Sequence, residues 1–247
     1  RLGSPATVLE LPDRLALEKP PGWQVDQAPE EHALRTANAT AKESPRQISK
    51  YLQALLPRRR WPLAADSACG RGLLHRLDVP SSGLVLVAKT HEAYHDLQLQ
   101  LSAGQVERDY TVLLHGWLPR GESCTVREIS APVHWLPSAK GQRLPSSICA
   151  RGRPSLTRAS ALAHALRRGQ ALSLASVRIA TGRRHQIRVH SAHVGHGTAC
   201  DGKYTSSKTF LADRSWCPRN FLHRGRLSFR SAAGAPLAAA APLPPEL

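Results

Sequence analysis

Apolar and polar positions divide the 247-residue chain into short segments of changing period. Residues 1–10 read as an irregular lead-in. Leu15-Ala16-Leu17-Glu18-Lys19 then runs into Pro20-Pro21-Gly22, the pattern of a strand closed by a turn. Residues 27–48 are polar and poor in large apolar side chains, which predicts a loop or insertion. Ile48 to Leu56 carries its apolar residues at helical spacing, and Pro57 stops it. The run Leu84-Val85-Leu86-Val87-Ala88, bounded by Gly83 and Lys89, is short and β-branched and predicts a buried strand. Thr90 is placed to cap a helix starting near His91. Tyr94, Leu97 and Leu101 form its buried face, and Gly104 ends it.

Beyond this helix, Tyr110 to Leu114 predicts a further strand. Residues 117–157, rich in Pro, Gly and Ser, give no clear period. Leu172 to Ile179 alternates as a strand does. Gln186 to His190 follows a Thr181-Gly182 turn and opens a helix, and Phe221 to Phe229 predicts a last strand. The Ala- and Pro-rich residues 231–247 read as a disordered tail. Strands and helices mix without a βαβ rhythm, which predicts an α+β fold.

Charge changes this picture. Lys and Arg total 34 against 18 Asp and Glu, a formal net charge of +16. The excess sits in residues 129–200, which hold 11 basic residues and no acid. A stretch of that length without a carboxylate predicts a polyanionic partner, with nucleic acid the best fit. A codon-level bias toward Arg explains Arg in place of Lys but not the missing acids. No apolar run approaches the ~18 residues of a membrane span, so a membrane partner is not expected. Five cysteines at wide spacings, with no CxxC, form no disulfide framework. They suggest a reducing compartment, the cytoplasm or an organelle such as a mitochondrion or chloroplast. The chain starts at Arg1 and contains no Met, as expected of a segment of a longer chain.

Three segments concentrate chemistry. His75-Arg76-Leu77-Asp78 precedes Val79-Pro80-Ser81-Ser82-Gly83 and the buried strand. A carboxylate on such a loop beside cations stays ionised and suits a nucleophile or base, although an Asp before Pro and Ser commonly just forms a turn. Thr181-Gly182-Arg183-Arg184-His185-Gln186-Ile187-Arg188-Val189-His190 packs three Arg and two His into ten residues. A basic helical face of this kind binds phosphate, pairs with a buried carboxylate, or simply faces solvent. Arg108-Asp109-Tyr110 opens a strand with a tyrosine that either stacks on a base or fills the core.

In this order and at these separations the segments resemble the RluA family of RNA pseudouridine synthases. The resemblance spans about residues 10 to 230. Glu18-Lys19-Pro20-Pro21-Gly22 is similar to the family's KPxG turn, and His75 to Gly83 to its HRLDxxTSG signature. Arg108-Asp109-Tyr110 resembles KxY, and Thr181 to His190 resembles TGRxHQIRVH. Gly195-His196 with Asp201 and Tyr204 is similar to GHPIxGDxxY, and Phe221-Leu222-His223 with Leu227 and Phe229 to LLHAxxLxF. Ser81 stands for the usual Thr, Gly197 to Cys200 departs from PIxG, Arg224-Gly225 replaces a small residue, and residues 117–170 match poorly.

The resemblance implies a catalytic domain over residues 11–230. Its fold would be α+β, a bent, largely antiparallel mixed sheet with flanking helices and a basic central cleft. Asp78 takes the place of the catalytic aspartate and Arg188 that of its pairing arginine. Tyr110 takes that of the tyrosine that stacks on uracil, and Arg76 that of the arginine filling the space of the flipped base. RNA contact is further expected of His75, Arg183, Arg184, His185 and Gln186. The isomerisation breaks N1–C1′ and joins C5 to C1′ without redox change or group donor, so no cofactor is required. Whether the carboxylate acts covalently or removes a sugar proton stays open. The implied partner is ribosomal or transfer RNA, bound by a monomer. Two rival readings are a catalytically silent RNA-binding protein on the same fold and a metal hydrolase using His185, His190, His193, His196, Cys200 and Asp201. The spacings of the latter match no standard zinc pattern.

Overall fold

The computed structural model describes residues 3–26, 46–119, 127–135 and 144–247. The polar segment expected to be a loop over 27–48 lies outside the described residues up to position 45, as does Cys124. The chain divides into two compact units. The first takes residues 1–106 and 227–241, the second residues 107–226 and 242–247.

In the first unit, β1 (Ala6–Glu10) pairs antiparallel with β2 (Arg14–Lys19), and β2 with β3 (Ser82–Ala88) in the register Arg14↔Ala88 to Lys19↔Gly83. Every residue of β3 is buried, as its continuous apolar run requires. Helix α1 (Ile48–Leu55) buries Ile48 and Leu52 and stops before Pro57. Helix α2 (His91–Ser102) starts where Thr90 Oγ1 accepts the Ala93 N–H at 3.2 Å, and it buries Ala93, Leu97 and Gln100. Tyr94 and Leu101, expected on that buried face, pack at its margin. The core joins Leu84, Leu86 and Leu97 to Leu227, Phe229, Ala239 and Ala241.

The second unit is built on antiparallel strands. Strand β4 (Glu107–His115) pairs with β9 (Gln170–Ile179), β9 with β8 (Leu156–Arg167), and β8 with β5 (Arg127–Ser130). The short strands β6 (Val133–His134) and β7 (Ser147–Ile148) form a separate pair. Helices α3 (Gln186–His193) and α4 (Ser207–Arg214) follow. Strand β10 (Leu222–Arg230) contributes its first five residues here and the rest to the first unit. A small core gathers Ala199, Cys200, Cys217 and Phe221. The four described cysteines are free thiols, and burial pushes the Cys217 thiol up to about 11. The α+β class and the antiparallel pairing agree with the sequence.

Two expectations are corrected. Residues 6–10 are not irregular: they form β1, an edge strand exposed along nearly its whole length, so burial stamps no period on its sequence. The tail is not disordered either. After a turn in which the Ser231 N–H bonds the Ala235 carbonyl at 2.9 Å, Pro236–Ala240 forms β11 against β10. Its Ala239 is buried in the first core, where only a small side chain is called for. Strand β8 has no sequence signal at all. Its Ala, Leu and Arg residues favour a helix, but pairing with β9 through a two-residue turn, Arg168 (φ 47°) and Gly169 (φ 77°), overrides that preference.

Candidate active site

The first unit supplies the loop that carries Asp78. Lys19, fully buried at the end of β2, donates its ammonium to the carbonyls of Pro20 (2.9 Å), Trp23 (3.0 Å) and Val79 (3.4 Å). The Gly22 N–H also reaches the Val79 carbonyl at 2.7 Å, and Gly22 sits at φ 82°, where glycine is favoured. The Lys-Pro-Pro-Gly turn thus pins the residue that follows Asp78. The Ser81 N–H closes a turn on the Asp78 carbonyl at 3.0 Å. His75 Nε2 accepts the Leu86 N–H of β3 at 3.2 Å, which anchors the start of the loop. Asp78 is half-buried and Arg76 exposed.

The second unit supplies Tyr110 and the basic motif. The alternation of β4 turns Arg108, Tyr110, Val112 and Leu114 inward, and Asp109 outward onto Arg178 at 2.6 Å. Tyr110 is 4% exposed. Arg224, on β10 and 1% exposed, donates both Nε (2.9 Å) and Nη2 to the Tyr110 hydroxyl. Its guanidinium lies 4.9 Å from the Tyr110 ring centroid, at the hydroxyl end of the ring. Arg108 donates to the carbonyls of Ala180 (2.9 Å) and Ile179 (3.4 Å). A Cβ at Gly182 would sit 2.9 Å from Arg108 Nη1, which explains the glycine of the Thr-Gly-Arg turn.

Gln186 organises that turn. Its Oε1 accepts from Thr181 Oγ1 (2.8 Å) and the Arg183 N–H (3.0 Å). Its Nε2 donates to the Leu156 carbonyl and Thr157 Oγ1, both at 3.0 Å, so the buried amide is saturated internally. His185 enters α3 in the left-handed region (φ 54°), with Nδ1 2.9 Å from the Tyr204 hydroxyl. Arg184 lies over the Trp135 ring at 5.0 Å, and Arg183 is half-buried.

Arg188 projects from α3 into a bidentate pair with Asp201, Nε to Oδ2 at 2.7 Å and Nη2 to Oδ1 at 2.6 Å. Asp201 also accepts from Thr198 Oγ1 and the Lys203 N–H, both at 3.0 Å. Burial works to raise the Asp201 carboxyl, but the hydrogen bonds and charge of Arg188 outweigh it and hold the group below the usual carboxylate range. His190 donates Nε2–H to the Ala131 carbonyl at 3.0 Å, and burial pushes its pKa down, so it stays neutral. Of the residues considered as a zinc cluster, His185, His190, His196 and Asp201 each have a different partner, Tyr204, the Ala131 carbonyl, the His115 carbonyl and Arg188. Among the described residues they form no ligand group.

The sequence-predicted residues thus fall into two groups. His75, Arg76 and Asp78 share one loop of the first unit; Tyr110, Arg183, Arg184, His185, Gln186 and Arg188 belong to the second. Within the second, Arg188 meets Asp201 and Tyr110 meets Arg224, neither anticipated. A signal existed for each. Asp201 is the first carboxylate after the acid-free stretch, and Arg224 stands where the resembled motif has a small residue.

A family model described as RNA pseudouridylate synthase matches residues 13–193. Among curated proteins, the ribosomal large subunit pseudouridine synthase C of Pasteurella multocida is 36% identical over 179 residues, 71% of this chain and 52% of the relative. The ribosomal large subunit pseudouridine synthase D of Xanthomonas campestris pv. campestris is 33% identical over 186 residues, with the same two coverages. The uncharacterized RNA pseudouridine synthase YlyB of Bacillus subtilis is 35% identical over 138 residues, 56% of this chain and 42% of that one. The chain spans about half the length of these relatives. Of solved structures, human RNA pseudouridylate synthase domain containing 1 superposes with a TM-score of 0.66 at 23% identity, covering 97% of this chain and 83% of that one. Human RNA pseudouridylate synthase domain containing 4 gives 0.64 at 16%, covering 97% and 88%. Both share the fold.

Proposed function

The chain belongs to the RNA pseudouridylate synthase family, and from that premise we propose that it isomerises uridine to pseudouridine in structured RNA. The observation that carries the reading is that the matched span holds Asp78, Tyr110 and Arg188 together, each on an element fixed by buried polar contacts. Asp78 is the reacting carboxylate. Arg188, oriented by Asp201, supplies the cation that keeps such a carboxylate ionised. Tyr110 offers its ring to the uracil while Arg224 holds its hydroxyl. The uridine leaves its stack to be reached, and Arg76, His75, Arg183, Arg184 and His185 track the RNA. Gln186 serves that surface from beneath by shaping its turn. The names of the relatives favour large-subunit ribosomal RNA as substrate over transfer RNA.

Pseudouridine mapping of ribosomal and transfer RNA transcripts incubated with the protein tests this reading. The wild type forms pseudouridine at defined positions. Asp78→Asn abolishes the product while RNA affinity changes by less than about twofold, since a phosphate-dominated interface barely senses that loss. Product formation by Asp78→Asn would overturn the assignment.

A further inference from the structure

A second polar cluster lies in the first unit, upstream of the Asp78 loop and apart from the residues assigned to the reaction. We propose that Asp66, Cys69 and His91 form a binding site for a single zinc-class divalent cation. One potential ligand atom from each lies within 4.8 Å of the other two. A tetrahedral zinc ion with bonds of ~2.0–2.3 Å holds its ligands roughly 3–4 Å from each other, so small rotations close the set. Thiolate, imidazole and carboxylate together are the donor set of such an ion, whereas magnesium or calcium would demand oxygen alone.

The loop is already shaped for this role. Asp66 Oδ1 accepts the N–H groups of Ala68 (2.9 Å) and Cys69 (3.4 Å), which turns Oδ2 toward His91 Nε2 at 3.0 Å. The Arg71 N–H returns to the Asp66 carbonyl at 2.7 Å. Gly70, Arg71 and Gly72 all have positive φ (54°, 55° and 81°), which wraps the backbone around Cys69. Gly72 cannot be replaced without displacing the chain, because a Cβ there would lie 2.2 Å from the Ala88 carbonyl oxygen. His91 is the first residue of α2, so its position is set by the Thr90 cap. Loop and helix therefore bring the three candidate ligands close together before any ion arrives. All three residues are only partly buried, which leaves an entry path and a fourth position for water. On binding, the Cys69 thiol yields its proton to solvent as the metal–sulfur bond forms. The ion would tie the 66–72 loop to α2 just before the chain reaches Leu73, which bridges to β3 at Val87, and then His75.

The test is independent of the isomerase reading. The full chain, stripped with chelator, is titrated with Co2+ and then Zn2+. The expected result is one equivalent of Co2+ with a thiolate-to-cobalt charge-transfer band, bleached by one equivalent of Zn2+. Cys69→Ser removes the band, and His91→Asn and Asp66→Asn each weaken binding about tenfold or more. His91 is partly exposed at a helix start, so His91→Asn keeps the test decisive even if Cys69→Ser folds poorly. Absence of the band, its survival in Cys69→Ser, or unchanged affinity in folded His91→Asn overturns the site.

Discussion

Arg188 and Arg108 are equally buried, each 5% exposed, yet the second unit accommodates their charges in opposite ways. Arg188 meets a carboxylate that is itself fully enclosed and held by two further donors. Arg108 finds only two backbone carbonyls, and among the described residues no carboxylate pairs with it. Burial and the nearby Arg224 charge both push the Arg108 pKa down, while Tyr110 works the other way. The contrast teaches that a buried cation can serve two ends. One paired with an enclosed carboxylate is held in a set orientation, and one left with carbonyls keeps a positive field inside the unit, here beside Tyr110.

The sharpest way to break this contrast is Asp201→Asn. It removes the charge of the bidentate partner that orients Arg188 and is expected to cost about 3 kcal/mol in urea unfolding. The pH dependence follows from the same pair. The folded Asp201 carboxyl titrates below its unfolded value of about 3.9, so its contribution is complete above that pH and is lost as pH falls through the folded pKa. The stability gap between wild type and Asp201→Asn should accordingly shrink below about pH 4. A gap constant down to pH 2 contradicts the ion pair.

Arg108→Met is expected to cost less, about 2 kcal/mol, because it strands the Ile179 and Ala180 carbonyls but removes a charge that has no carboxylate. A loss exceeding that of Asp201→Asn erases the distinction. Arg224→Ala is the smallest change, about tenfold in kcat with KM nearly constant, since it releases the Tyr110 hydroxyl without touching the RNA-tracking residues. In a Tyr110→Phe background it should add nothing; an additive effect would mean that Arg224 acts on the RNA directly.

The motifs made much of this legible. Lys19, Asp78, Tyr110, Gln186 and Arg188 all stand out in the sequence because each answers a local demand of a turn or a strand start. What stayed hidden depends on distant pairing. Asp201 lies 13 residues beyond Arg188 in a loop with no period of its own. Arg224 departs from the resembled motif, but only the sheet brings it to the Tyr110 hydroxyl. Strand β8 is written in helix-forming residues, and β11 in alanines that carry no alternation, so only their neighbours determine them. The acid-free stretch likewise divides only in three dimensions. Arg158 and Arg178 are met by Glu128, Glu107 and Asp109, acids from outside it, whereas Arg151 and Arg153 stay exposed as better candidates for phosphate.

The division of β10 between the units has a consequence for the order of synthesis. The second unit draws almost all its residues from one continuous stretch, 107–226. The first unit begins at the N-terminal side but closes its core with Leu227, Phe229, Ala239 and Ala241. On the ribosome its strands β1 to β3 emerge before the second unit and wait through some 140 residues of translation for the segment that completes their core. At about 5–20 residues per second that interval lasts from roughly 7 to 28 seconds, during which the core around Leu84 and Leu86 lacks part of its cover. The first unit is therefore begun before the second and completed after it, and it is the unit in which a chaperone has the most to protect.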